Sequence, residues 1–278
     1  MLVFVHINKT AGSTMRYILR SSYGSRHCDV EPWQGTEDGE PFAADDLRRL
    51  RKIYRRLSSI AGHRITGYVD LPDDGDALRY FTFLRDPLRM CASRFQYHID
   101  HRGKKGLVFD EWIERDWLRN AQTKRIAGVE SAAEAIRIIE RKEMFVGLTE
   151  QFDESIVLLK GLRADDLDID YRPVNVARRN TIAQGLLADE RKRAALADAN
   201  REDLALYAYV TNELYPSYRR AFGPTLPDAV AQYRATSRQD WRRAKLVASR
   251  VKQHAVYRPL LHAYRARPAV LARRTALR

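Results

Sequence analysis

The chain has 278 residues, 45% of them hydrophobic, with 49 Lys and Arg against 36 Asp and Glu and a formal net charge of +13. That composition supports one large α/β domain or two small ones and is too apolar for a disordered chain. No run approaches the ~18 consecutive apolar residues of a membrane span, and two cysteines, Cys28 and Cys91, make neither a disulfide framework nor a metal site alone.

A secreted disulfide protein, a collagen-like chain, a zinc finger and an integral membrane protein are therefore set aside, and a reducing cytosol is expected. The first residues lack the basic start and cleavage site of a secretory signal. Instead Leu2–Ile7 is a β-branched apolar run that predicts a buried parallel strand. Thr10 to Thr14 then opens a helix reaching about Leu19. Residues 24–42, with Gly, Pro, Asp and Glu and no clear period, predict a loop. A basic helix is expected over Ala43–Ser59, a second strand over Ile65–Val69 and a third over Arg79–Leu84. Asp86-Pro87 ends the third strand and starts the next helix, with Pro at its permitted first turn. Helices at Phe109–Leu118 and Ala132–Glu140 follow, then a strand at Met144–Leu148 and a helix at Gln151–Leu162. Residues 163–180 predict mixed loop with room for one short strand, and Ile182–Ala199 and Arg201–Phe222 predict long helices. Pro224 and Pro227 mark a boundary, dividing a body of residues 1–226 from a basic, helical extension of residues 227–278. Strands alternating with helices, without internal repeats, predict a three-layer α/β/α fold around a mainly parallel sheet.

In such sheets ligands bind beyond the carboxyl ends of the strands. The segment His6-Ile-Asn-Lys9-Thr10-Ala11-Gly12-Ser13-Thr14 occupies that place. Small residues admit a ligand to the backbone, amides at a helix start favour an anion, and Lys9, Ser13 and Thr14 add donors. The nucleotide-triphosphatase loop puts its Lys after the second Gly; here Lys9 precedes Gly12, and no magnesium-holding acid is evident. A plain polar strand-to-helix turn is the simpler alternative. The second segment runs from Tyr80 through Arg85, Asp86-Pro87, Arg89, Ser93 and Arg94 to Tyr97 and His98. An Arg at a strand end and a Ser two turns into the next helix can share one phosphate, although an ordinary capped strand–helix joint fits as well.

Together the two segments resemble the paired motifs of sulfotransferases that use 3′-phosphoadenosine 5′-phosphosulfate (PAPS). The closer likeness is to the glycan-modifying branch, especially heparan sulfate 6-O-sulfotransferases, in HINKTAGSTM and in YFTFLRDPLRMCASRFQYHIDHRG. Leu118–Arg125 and Val146–Phe152 extend the likeness, which covers residues 2 to about 162 and fades near Asn175 and Arg178–Asn180. It implies a P-loop-like sulfotransferase fold, with Lys9, Thr10, Ala11, Gly12, Ser13 and Thr14 on the 5′-phosphosulfate and Arg85 and Ser93 on the 3′-phosphate. Asn8 departs from the usual Pro or Gln, and the membrane anchor of Golgi relatives is not expected.

Sulfuryl transfer, like phosphoryl transfer, runs through a loose in-line transition state in which positioning and charge stabilisation dominate. Lys9 suits the departing phosphate oxygen. His6 suits the acceptor proton, with an unperturbed pKa of about 6.5, and the resemblance also implies a base there; a buried structural His is the alternative. His63 falls where some 2-O-sulfotransferase-like relatives keep a His near the acceptor, so it stands as an auxiliary base, an acceptor contact or a structural His. His98, with His101, Arg102, Lys104 and Lys105 after it, faces an anionic sugar or solvent. Gln122, Thr123 and Arg125 are candidates for the lining of the donor or acceptor groove. The scattered histidines imply no metal.

Residues 234–278 hold 13 Arg and Lys and one acid, Asp240, leaving the preceding body at a net +1. Trp241, Val247, Val251 and Ala255 recur at helical spacing among basic residues, the pattern of a helix lying on an anionic membrane. Packing on the domain, or docking to another protein, would use the same pattern. No RRM, KH or zinc-finger signature points to nucleic acid. The expectation is a PAPS-dependent carbohydrate sulfotransferase, cytoplasmic, with peripheral contact at the inner membrane face left open. The alternatives are a kinase-like nucleotide enzyme on the same fold, and a non-enzymatic module that binds membrane or nucleic acid through the tail.

Overall fold

A computed structural model describes residues 1–33, 40–73, 77–101, 106–171, 180–238 and 242–266. Its centre is a parallel sheet of five strands in the order β2-β3-β1-β4-β5: β1 (Leu2–Val5), β2 (His27–Asp29), β3 (Ser59–Gly62), β4 (Arg79–Leu84) and β5 (Phe145–Leu148). All four residues of β1 are buried, as befits the middle strand of a sheet covered on both faces. Helix α1 (Gly12–Tyr23) leaves β1 toward β2, α2 (Ala44–Ile53) leads back to β3, and β4 feeds α3 (Pro87–His101). Then come α4 (Phe109–Ile113), α5 (Ala121–Ala127), α6 (Ala132–Arg141) and, after β5, α7 (Phe152–Arg163). Right-handed crossovers, the rule for such connections, put α1 on one face and α2 and α6 on the other. The chain thus turns in opposite directions after β1 and after β4, and the crevice between those strand ends is the switch point of the sheet.

The remaining helices are α8 (Thr181–Ala188), α9 (Glu190–Ala199), α10 (Arg201–Tyr209), α11 (Tyr215–Phe222), α12 (Leu226–Thr236), α13 (Arg243–Val251) and α14 (Arg258–Arg265). The single helix expected over Ile182–Ala199 is two, broken where the Asp189 carboxylate accepts the Lys192 amide at 3.0 Å and caps α9. A π-helical turn at Val210–Leu214 joins α10 to α11 just before Pro216, whose missing N–H it accommodates.

Two strand expectations are corrected. The second strand in sequence is His27–Asp29, three residues inside the segment read as loop. The strand expected at Ile65–Val69 lies earlier, at Ser59–Gly62, so the helix before it stops at Ile53. Ile65–Val69, although β-branched, forms a loop rim held by the Gly67 amide on the Arg125 carbonyl at 3.1 Å. Helix α5 was not anticipated. The expected short strand within residues 163–180 is absent from the described part of that stretch; residues 172–179 lie outside it.

The described residues of the expected extension pack into the body. Val230 of α12, with Tyr257 and Leu261 further on, belongs to the same core cluster as the sheet. Among the described residues no helix is long and apolar enough to cross a membrane.

Candidate functional site

The site grows from the sheet register. Val5 of β1 pairs with Gly62 of β3, so the next residues, His6 and His63, leave adjacent strands side by side. Their rings stack with centroids 3.9 Å apart. Gly12 opens α1 directly against this pair, and a Cβ there would overlap the His6 imidazole. Only glycine allows the approach.

Before α1 the loop turns through left-handed conformations at Lys9 (φ 67°) and Ala11 (φ 60°), with Thr10 between them at negative φ. Such alternation favours concave amide nests. The Thr10 hydroxyl braces the turn by donating to the Ile7 carbonyl at 3.0 Å. Ala11 caps α1 without a side-chain hydrogen bond, and the first turn holds no acid, which leaves the helix start open to an anion. Ser13 is half-buried and Thr14 buried in that first turn.

Arg85 follows β4 across the crevice and donates to the Lys9 carbonyl at 3.2 Å, tying the two sequence motifs together. Three polar clamps hold its backbone. The Gln122 carboxamide accepts from the Arg85 amide at 3.0 Å and donates to the Arg85 carbonyl at 2.9 Å. Thr149 donates to the Leu84 carbonyl at 2.9 Å, and Glu150 accepts the Asp86 amide at 3.0 Å. Asp86 in turn accepts the Arg89 amide at 2.8 Å and caps α3. Gln122 and Thr123 are fully buried, and their amides donate to the buried carboxylate of Asp203 at 3.0 and 2.7 Å. They support the strand end rather than line an open groove.

Burial first, then Arg85 and Arg94, lower the pKa of Lys9, whose ammonium lies 4.6 Å from the centre of the Tyr97 ring. Arg94 is pushed down to about 10, chiefly by burial with Arg125 adding, and its guanidinium stacks over Trp117. Among the described residues no carboxylate pairs with Lys9, Arg94 or Arg125, while Arg85 feels Glu150. Unneutralised cations held this close call for an anion.

The imidazole pair is uncharged at neutral pH. Burial, then His63 and Arg16, hold His6 well below the usual imidazole range; burial, then Arg16 and Arg125, bring His63 to about 4. His6 is 4% exposed and its Nδ1 has no partner among the described residues. His63 reaches solvent. Arg125 donates to the His63 carbonyl.

Beside the pair is a cleft of about 220 Å³ walled by Ile7, Thr66, Tyr68, Arg94, Trp117 and Arg125, with Asn8, Ala121 and Lys124 at its sides. The buried Thr66 hydroxyl has no partner there among the described residues. Lys124 is neutralised by Glu130 at 2.8 Å. His98 lies farther along α3, where it accepts the Trp112 indole N–H at 3.1 Å and sits against Trp117. Ser93 is half-buried on the same helix, one residue before Arg94. Residues 102–105, 175, 178 and 179 fall outside the described residues, as does the side chain of His101. Among the described residues no cluster of His, Cys, Asp or Glu could hold a metal ion.

Sequence reasoning missed the support behind the histidines. Asp29, at the end of β2, accepts from Arg16 and Arg20 at 2.7 Å each, and His27 approaches it at 3.4 Å. Burial alone would raise the Asp29 pKa, but His27 and the two arginines hold it far below the carboxylate range. Gly12, Arg16 and Arg20 are one helical turn apart on α1, the signal that could have found the group. Arg94 was visible as the residue after Ser93, but nothing local marked it as facing the cleft. No family model matches the chain, and no curated protein matches it significantly.

Proposed function

We propose that the chain moves a sulfuryl group from PAPS to a hydroxyl of a carbohydrate acceptor. The observation that carries this reading is the meeting, at the carboxyl ends of β3, β1 and β4, of Lys9, Arg85 and the uncapped start of α1 with an uncharged imidazole pair. The nest-like loop and Lys9 suit the 5′-phosphosulfate, and Arg85 with Ser93 suits the 3′-phosphate. Two buried, unpaired cysteines fit a reducing, cytoplasmic setting.

When bound, PAPS supplies a sulfuryl group carried on a phosphate leaving group. Lys9 and the first amides of α1 stabilise the phosphate oxygen that gains charge as its bond to sulfur breaks. An imidazole takes the proton of the acceptor hydroxyl as that oxygen bonds to sulfur. Exposure favours His63 for this step over His6, the residue first expected to act: an approaching hydroxyl meets His63, and His6 supports it from behind. Arg125 steadies His63 through its carbonyl, and the adjoining cleft with Trp117 and Tyr68 offers aromatic faces to a sugar.

The direct test is transfer of labelled sulfate from PAPS to a panel of glycans, run without metal. Label should appear on at least one glycan with the wild-type chain and fall sharply with His63→Ala. Equal incorporation by a Lys9→Ala, Arg85→Ala double variant would overturn the reading.

A further inference from the structure

Residues 243–265 follow one continuous helical path, from α13 through a π-helical stretch at Lys252–Tyr257 into α14. The face turned inward mixes polar and apolar side chains, with Tyr257 and Leu261 in the core and Leu246 and Tyr264 packed against it. Ser249, Gln253, Tyr257 and Leu261 are buried at intervals of four residues. The Gln253 carboxamide donates to the Asp29 carbonyl at 2.7 Å and accepts the Asp29 amide at 3.2 Å, filling the place of a neighbouring strand on the open edge of β2. The Tyr257 hydroxyl does the same for Glu31, accepting its amide at 3.0 Å and donating to its carbonyl at 2.8 Å. These pins fix which side of the helix faces water.

The outer side mixes aliphatic with basic side chains. Val247 and Val251 are each 58% exposed, Leu260 is 46% exposed, and Ala244 and Ala255 lie in line with the valines. Exposed Arg243, Arg250 and Arg258 border the stripe. A helix that merely covers a domain leaves few aliphatic side chains in water. The segment from 234 onward also holds 13 of the chain's 49 basic residues and a single acid.

We propose that this outer face docks on an anionic phospholipid surface. Such a surface rewards both features at once: aliphatic side chains enter the headgroup boundary, and each Arg near the plane is drawn to the anionic headgroups. A second copy of the chain would set one strongly basic face against another across a two-fold axis. Nucleic acid would use the arginines on its phosphates but gain nothing from the valine stripe. The proposal does not depend on the sulfuryl-transfer reading.

The test is sedimentation of the full chain with phosphatidylcholine vesicles, plain or containing about one third phosphatidylglycerol. Binding is expected only to the anionic vesicles, and it should weaken as salt rises above ~0.1 M. Val251→Asp, and separately the pair Arg250→Glu with Arg258→Glu, should each weaken binding ~10-fold or more. The melting temperature of both should stay close to wild type, since these side chains face solvent. If Val251→Asp were unstable, Val247→Ser would carry the same comparison. Failure of the folded wild type to sediment with anionic vesicles overturns the proposal. So does binding that neither change alters, a dimer that Val251→Asp dissociates, or retention of DNA in place of vesicles.

Discussion

His63 carries the most exposed chemistry at these strand ends, and its neighbours decide how it behaves. His63→Ala should lower turnover ~10²–10⁴-fold, the range of a general base, while the affinity for 3′,5′-adenosine bisphosphate (PAP), the product of the proposed donor, changes little. Turnover at the wild-type rate would return the proton to His6. Gly12 makes the opposite kind of demand. Gly12→Ala drives a methyl into the His6 ring, and overpacking of this kind costs about 1–3 kcal/mol. A lowered melting point together with weakened PAP binding is expected.

The same histidines set an acid limit on stability. Burial holds His6, His27 and His63 below the imidazole range, so on acidification the unfolded chain takes up protons first. Stability should be level above pH ~6.5 and fall as the pH drops toward ~4. Asp29, held far below its ordinary value, adds a further loss below that. A melting temperature that rises between pH 6.5 and 4 would contradict this account of the cluster.

At the scale of elements, the loop after β4 matters most, because two neighbouring segments, at Gln122 and at Thr149–Glu150, clamp it. Gln122→Leu removes both hydrogen bonds to the Arg85 backbone. Unpaired buried groups cost about 1–3 kcal/mol, and a displaced guanidinium should weaken PAP binding. Calorimetric titration checks this: affinity equal to wild type would mean that Arg85 holds its position without the clamp. The clamp also explains what the sequence could show. Phe81–Leu84 and Leu2–Val5 are dense apolar runs that only a buried strand satisfies, and Asp86-Pro87 is a helix start at the level of single residues. His27-Cys28-Asp29 has no such signature; it is a strand because β3 and Gln253, distant in sequence, pair with its backbone. Likewise Gln122 read as a groove candidate because local sequence does not reveal that its amide turns inward to a strand end.

At the scale of the whole molecule, the charge of +13 divides into a nearly neutral body and a basic tail, and the described helices of that tail are bound into the fold. Tyr257 is fully buried and packs against Trp33 and Tyr54. Tyr257→Ala should cost about 3 kcal/mol, as for other large aromatic truncations. Gln253 links this helix to Asp29, and through Asp29 to Arg16 beside the histidines. Removal of residues 234–278 should therefore destabilise the body, which the division of charge alone does not suggest.

The central claim is that the crevice is made for a bisphosphorylated adenosine donor and works without metal. Thermal unfolding in metal-free buffer with PAP, and in parallel with ATP–Mg and GTP–Mg, tests it most directly. At 100 times its Kd a ligand adds about 2.7 kcal/mol, roughly 5–10 °C for a chain of this size. The account predicts that rise with PAP, and its loss in Arg85→Ala. A clear rise with ATP–Mg or GTP–Mg and none with PAP would contradict it.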